Sequence, residues 1–242
     1  MKTALVYSDR YLDHQTGWGH PERPDRLVSI VEGLKKANLW NTQHTPVLDP
    51  SPASATDLAR AHTKHYIGLV KELSSSEIPI DSDTPTHREV YDIALLAAGG
   101  TIKAAQTVWR GEANSSVALV RPPGHHASRG SGGGFCYFNN IAVAVRKLQQ
   151  EGLKRALILD FDAHHGNGTQ DIFYEDPTVF YISFHQWPLY PGTGRSSEIG
   201  EGEGRGFTAN LPMPPGSGDP EYRAAMEEVF EPLAEQFKPE LI

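Results

Sequence analysis

The sequence predicts an α/β fold built on a buried, mostly parallel sheet. Three observations carry the prediction. Residues 117–120, 156–159 and 179–182 are short apolar runs with little alternation, the pattern of strands covered on both faces. Segments with helical apolar spacing separate them, giving a βαβαβ rhythm. The 242 residues, 38% hydrophobic and with 23 glycines besides, are enough to bury a sizeable core; the length suits one large domain or two small ones, and the chain is read as one domain over 1–242.

Each element follows in order. Residues 3–7 read as a first strand. Leu27, Ile30, Val31 and Leu34 recur at helical spacing, so 25–37 is a helix. Residues 57–73 carry one or two short helices. A long helix spans 86–110, with Val90, Ile93, Ala97, Ile102 and Ala105 on one stripe. Gly99-Gly100 inside it marks either a close-packed backbone or a kink. After the strand at 117–120 come a helix at 140–150, the strand at 156–159, a helix at 169–174 and the strand at 179–182. Asp219 as N-cap and Pro220 at the first helical position open a last helix. Its stripe is Tyr222, Met226, Val229, Phe230, Leu233 and Phe237, and Pro232 should kink it. Lys238-Pro239-Glu240 ends it, and Leu241-Ile242 open another buried strand. Residues 124–134 and 188–206 are loops after predicted strand ends, where open α/β sheets bind ligands.

Composition narrows the function classes. With 22 basic and 30 acidic residues the net charge is −8, which lacks the electrostatic footprint of direct nucleic-acid binding. One cysteine, Cys136, excludes an intrachain disulfide and suits a reducing compartment. No apolar run approaches the ~18 residues of a membrane span. The N-terminus reads as a strand rather than a signal peptide, so the expected location is cytoplasmic.

Two strand ends carry chemistry. Asp160, Asp162, His164 and His165 crowd the end of Ala-Leu-Ile-Leu. Burying such groups is costly without a metal or a partner network. Asp162 and His164, two apart at a fraying strand end, can turn toward one ion, and a carboxylate with an imidazole suits Zn²⁺ or Fe²⁺ at an open site. The alternative is an Asp capping the next helix and a packed His. His125 and His126 follow Arg121-Pro122-Pro123-Gly124. If their side chains diverge they are poor joint ligands and suit acid–base work; alternatively they are solvated loop residues. The glycines at 130–134 permit close backbone approach, with Phe135 and Tyr137 as an apolar wall. Leu189 and Tyr190 either line a narrow channel or pack an ordinary loop.

RPPGHHA (121–127), GFCYFNN (134–140), LDFDAHHGNG (159–168), PGTG (191–194) and HPERPDRL (20–27) resemble the zinc-dependent histone deacetylase family, whose wider relatives include bacterial and archaeal deacetylases and acetylpolyamine amidohydrolases. The motifs occur in family order over almost the whole chain. The absence of Trp between Gly124 and His125, and Asn167 in place of Asp, are closer to the class II and prokaryotic branches. The resemblance implies an arginase/deacetylase-like three-layer α/β sandwich with one Zn²⁺. It assigns Asp162 and His164 as metal ligands, His126 as general base with Asn167 as its partner, and His125 as an acid or electrostatic partner held by Asp160. Gly134, Phe135 and Tyr190 would line an acyl-lysine tunnel, Asp83 would grip the substrate backbone, and Arg26 would sit near the inner end of the pocket. A structural K⁺ would take the Asp160 and Ser183 side chains with carbonyls of Asp162, His164 and Phe184.

The binuclear manganese ureohydrolases of the same fold carry Asp-Ala-His-x-Asp. Here Gly166 stands where the second Asp would be, which favours a mononuclear site and amide hydrolysis. The family's second Asp ligand lies in a Gly-Phe-Asp-Ala-His segment on the next strand and its transition-state tyrosine follows a glycine run further on, and the sequence stops at Ile242, where that strand should begin. The expectation is therefore a catalytic domain incomplete at its C-terminus, with little activity alone. The expected activity is removal of acetyl groups from lysine side chains of histones or other proteins. The alternatives are deacetylation of polyamines or other small amides, and a non-catalytic remnant that binds acyl-lysine ligands or protein partners.

Overall fold

The computed structural model describes residues 1–242, which form two compact units, Met1–Gln150 and Glu151–Ile242. Each has its own three-stranded, wholly parallel sheet. The parallel pairing expected from the apolar runs is present, distributed over two short sheets.

In the first unit, β1 (Thr3–Val6) lies between β2 (Val47–Leu48) and β3 (Ser115–Ala118), with Leu5 opposite both Val47 and Val117. The third strand begins earlier than its apolar run suggests. The Thr3 and Ser115 hydroxyls pair at 2.7 Å across the ladder, and Val117 is 43% exposed because β3 is an edge strand of its sheet. The helices are α1 (Asp25–Lys36), α2 (Ala55–Leu58), α3 (Lys64–Ser76), α4 (Val90–Trp109) and α5 (Asn140–Gln150). Ser54 and Asp57 form a capping box on α2, and the Thr63 hydroxyl accepts from the Tyr66 amide to start α3. The core joins Tyr7, Tyr11, Leu27, Val31, Ile93, Ala97 and Leu119. Of the two readings of Gly99-Gly100, close packing is correct. A Cβ on Gly99 would collide with the Ser51 carbonyl, and one on Gly100 would lie 2.5 Å from the Tyr11 hydroxyl.

In the second unit, β5 (Val179–Gln186) is central, between β4 (Ala156–Asp160) and β6 (Thr208–Met213). It runs four residues past the predicted strand and is buried almost throughout. The sequence reading missed β6 because Pro212 interrupts it; a proline lacks the ladder N–H and is tolerated here at an edge. Helix α6 (Asn167–Phe173) follows β4. The final helix differs from expectation at two points. Its cap is Gly218, whose amide donates to the Glu221 carboxylate at 2.8 Å, with Asp219 already inside α7 (Asp219–Ala225). The break expected at Pro232 takes the form of a π segment, Met226–Phe230, just ahead of α8 (Glu231–Phe237). Pro232 has no N–H for the Glu228 carbonyl, and the wider winding accommodates that loss. Tyr222, Met226, Phe230, Leu233 and Phe237 pack on Leu157, Phe180, Ile182 and Phe184, as the stripe predicted for all its members but Val229, which is outside this cluster. Leu241 bridges Ala156 in parallel, and its carbonyl accepts from the Leu157 amide at 2.9 Å.

Candidate active site

The first unit contributes the turn after β3. Ala127 N–H donates to the Gly124 carbonyl at 3.0 Å, closing a turn around His125 and His126. Their rings do not diverge: the centroids are 4.0 Å apart with planes at 47°. His126 is buried and His125 half-buried. The turn is braced from behind. Asn140 Nδ2 donates to the Pro122 carbonyl and Asn139 Nδ2 to the Ala127 carbonyl, each at 3.0 Å. The Asn139 amide donates to His62 Nε2 at 2.9 Å, so His62 is the neutral Nδ1–H tautomer, and that N–H reaches the Ser128 carbonyl at 2.8 Å. Burial pushes the His62 pKa down to about 4, which keeps this bracket neutral at ordinary pH. His62 had no sequence signal; nothing local marks a histidine whose partner is 77 residues away.

The same unit brings Asp83, Gly134 and Phe135 into one cluster. Gly134 and Phe135 both have left-handed backbones, φ 53° and 72°. For Phe135 this is strained, and the Phe135 amide is held by the Thr84 hydroxyl at 3.0 Å while the Gly134 amide meets Asp81 Oδ2 at 3.3 Å. His20 Nε2 donates to the Asp83 carbonyl at 3.2 Å, and its ring meets Phe135 edge-on at 4.8 Å. His20 therefore joins the cluster, although the sequence analysis used it only as part of a motif. Arg26 lies apart from this rim. It lines a cavity of about 190 Å³ with Glu22, Leu27, Ile30, Arg121 and Pro123, and its Nη1 is 3.8 Å from Glu22 Oε1.

The second unit holds the other motif. Past the end of β4, the His164 amide donates to Asp162 Oδ1 at 2.8 Å, and His164 Nδ1 lies 3.1 Å from the same oxygen. The two side chains converge, half-exposed at 52% and 42%. This is a direct hydrogen-bond contact between the two side chains, and its length is also near the roughly 3.3 Å between neighbouring donors on tetrahedral zinc, so the pair would fit one ion. They are two donors of the usual three, and no cluster of three His, Cys, Asp or Glu forms here. The Tyr190 ring stands 6.1 Å from His164 at 73°. Asp160 accepts from the Asp162 amide at 3.2 Å and from the Tyr181 hydroxyl at 3.1 Å, and lies directly opposite Ser183 in the ladder. Burial raises the Tyr181 pKa well above normal, so its hydroxyl stays a donor. Asn167 opens α6, its amide bonded to the His165 carbonyl at 2.9 Å.

Behind this strand end lies a polar network that ties the 159–168 motif to the 191–194 motif. His165 Nε2 donates to Gln170 Oε1 at 3.0 Å, and its Nδ1 accepts from Thr193 at 2.8 Å. Gln170 Nε2 donates to Glu198 at 2.7 Å, and Glu198 accepts the Gly194 and Arg195 amides. His185 Nε2 donates to the Gly194 carbonyl while the Ser183 hydroxyl donates to His185 Nδ1, both at 2.9 Å. Burial pushes the His165 pKa down to about 4, and the amide donors hold Glu198 below the usual carboxylate range against its own burial. The 191–194 turn that follows Tyr190 is thus tied to β5 and α6. Gly194 is required here: its φ is 90°, and a Cβ would lie 2.5–2.6 Å from the His165 and His185 rings.

Comparison with known proteins accords with these motifs. The histone deacetylase domain model matches residues 20–242. The chain is 45% identical over 242 residues to a probable deacetylase of Archaeoglobus fulgidus, covering all of this chain and 67% of that protein. It is 39% identical over 261 residues to the polyamine deacetylase HDAC10 of Rattus norvegicus, covering all of this chain and 44% of that protein. The crystal structure of the HDA15 HD domain superposes with a TM-score of 0.92 at 36% identity, over 98% of this chain and 70% of that one. The chain thus spans between about two fifths and seven tenths of these relatives' lengths and shares their arginase/deacetylase-like α/β fold. With the domain model matched over nearly its whole length, the chain belongs to the histone deacetylase family.

Proposed function

We propose that this protein is a zinc-dependent amidohydrolase that removes acetyl groups from lysine side chains. The observation that supports the reading is the contact of His164 Nδ1 with Asp162 Oδ1 past the end of β4, at a spacing that one ion could bridge. Asp162 and His164 would hold a zinc ion, which when bound would supply Lewis acidity toward an acyl carbonyl and water. The residues do the rest. His126, buried and braced by the asparagine-backed turn, takes the proton of the attacking water, with Asn167 as its partner. His125, oriented by Asp160, stabilises the charge that develops and returns a proton to the leaving amine. Gly134, Phe135 and Tyr190 flank the acyl-lysine chain, Asp83 holds the substrate backbone, and Arg26 sits near the inner end of the pocket. Asp160 and Ser183, opposed in the ladder, supply side-chain oxygens for a structural K⁺.

The net charge of −8 suits a cationic substrate. That holds for a lysine-rich protein segment and equally for an acetylated polyamine, the class named for the rat relative. A single buried cysteine fits a reducing, cytoplasmic setting. The test is turnover of a zinc-loaded protein that carries the whole family domain, on an acetyl-lysine peptide and on an acetylated polyamine, with a chelated control. Zinc-dependent acetate release, faster from the peptide, is expected. Faster release from the polyamine reassigns the substrate. Ligand binding with no release from either supports a binding role and ends the enzyme reading.

A further inference from the structure

Arg121 and Glu22 form an ion pair that the chemistry above does not use. They are 2% and 1% exposed. Arg121 Nε and Nη2 meet the two Glu22 carboxylate oxygens, the Nη2–Oε2 contact being 2.7 Å. Nη1 donates to the Tyr11 carbonyl at 2.8 Å, and Nη2 also reaches the His14 carbonyl at 3.1 Å. A pair this deeply buried is a poor source of stability, because desolvating both charges offsets their attraction. What a guanidinium fork supplies is orientation: it accepts a carboxylate in one plane and at one distance.

The next residues transmit that orientation. Pro122 and Pro123 have φ fixed by their rings. Gly124 packs so closely on the Phe138 carbonyl and the Asn140 amide that no Cβ fits. His125 and His126 come next, so little slack separates the fork from the two imidazoles. Glu22 extends the linkage outward. Its amide donates to His20 Nδ1 at 3.1 Å, and His20 in turn binds Asp83 and packs on Phe135.

We propose that Arg121, clamped by Glu22, is a positioning residue. It sets the His125–His126 turn and, through Glu22 and His20, aligns that turn with the rim at Asp83 and Phe135. The kinetic consequence rests on the deacetylase reading; the mechanical one does not.

The test is Arg121→Lys, which keeps the charge and loses the fork, beside Glu22→Asp, which keeps the pair and shortens it by one methylene. Three quantities are read on zinc-loaded protein that carries the whole family domain: the thermal midpoint, exchange of the Ala127 amide that closes the turn, and kcat and KM per folded molecule on an acetyl-lysine reporter. Expected for Arg121→Lys are a retained cooperative melt, Ala127 exchange faster by about tenfold, and kcat lower by about 10²-fold with KM within about twofold. Glu22→Asp should show the same pattern, smaller. Unchanged Ala127 exchange in folded Arg121→Lys overturns the proposal. So does a rise in KM alone, or a loss of activity that tracks only the unfolded fraction in both variants. If the wild-type protein turns nothing over, the deacetylase reading fails, and Ala127 exchange still decides the clamp.

Discussion

Gly124→Ala perturbs the turn that carries both histidines, and the structure sets its magnitude. The added Cβ would lie 2.6 Å from the Asn140 nitrogen, 2.8 Å from the Phe138 carbonyl oxygen and 3.3 Å from the Asn139 Cα. All three are backbone atoms, so no rotamer change relieves them. An ordinary contact is about 3.4 Å, so the turn must move by about 0.8 Å, and forced shifts of this kind cost about 1–3 kcal/mol. Gly124 is not in the left-handed region, so Ala adds no backbone strain and stiffens the unfolded chain, a gain of about 0.4–1 kcal/mol. Clash wins: the net is a loss of about 1–2 kcal/mol. The same displacement at His125 and His126 should lower kcat by about 10²-fold. Gly68→Ala is the control. Gly68 lies inside α3 with open space where a Cβ would go, and Ala there should stabilise by about 1 kcal/mol. Urea denaturation of the two variants, with turnover measured per folded molecule, reads both effects. A Gly124→Ala protein as stable and active as wild type would show that the turn is not packed as described, and the account of how the histidines are held would fail with it.

Three further outcomes are expected. In a protein that carries the whole family domain, His126→Ala should abolish acetate release while zinc content, by metal analysis, stays at the wild-type level; His164→Ala should lose both, since His164 is assigned as ligand and His126 as base. Stability should decline as pH falls below about 6.5, the unfolded histidine value. His62 stays neutral in the folded state down to about 4, so the unfolded chain takes its proton first and gains on the folded one through that window. Urea midpoints at stepped pH measure this, and His62→Gln should flatten the decline. Leu148→Ala, at a fully buried position of α5, should cost about 2–5 kcal/mol by leaving a cavity, checked by the same unfolding assay; a cost under about 1 kcal/mol would mean the site collapses around the smaller side chain.

What the sequence by itself determined is local or periodic. Helix α5 has the predicted bounds, and α1 ends one residue short of them, because apolar spacing alone marks a helix face. The parallel strands were legible as unalternated apolar runs, and Asp162 and His164 meet because two residues at one strand end have only a turn's reach between them. Where the pattern was broken, legibility ended: Pro212 concealed β6, and the π segment before Pro232 has no signature beyond the proline itself. Tertiary structure alone decided the rest. Glu22 meets Arg121 across 99 residues, His62 meets the Asn139 amide across 77, and His165 is tied through Gln170 to Glu198. Each is a buried polar group whose partner is chosen by how the chain packs. No spacing rule encodes a hydrogen bond between distant segments, yet a group withdrawn from water must find one. The candidate groups were therefore readable at the strand ends, and the contacts that hold them became visible only once the chain was folded.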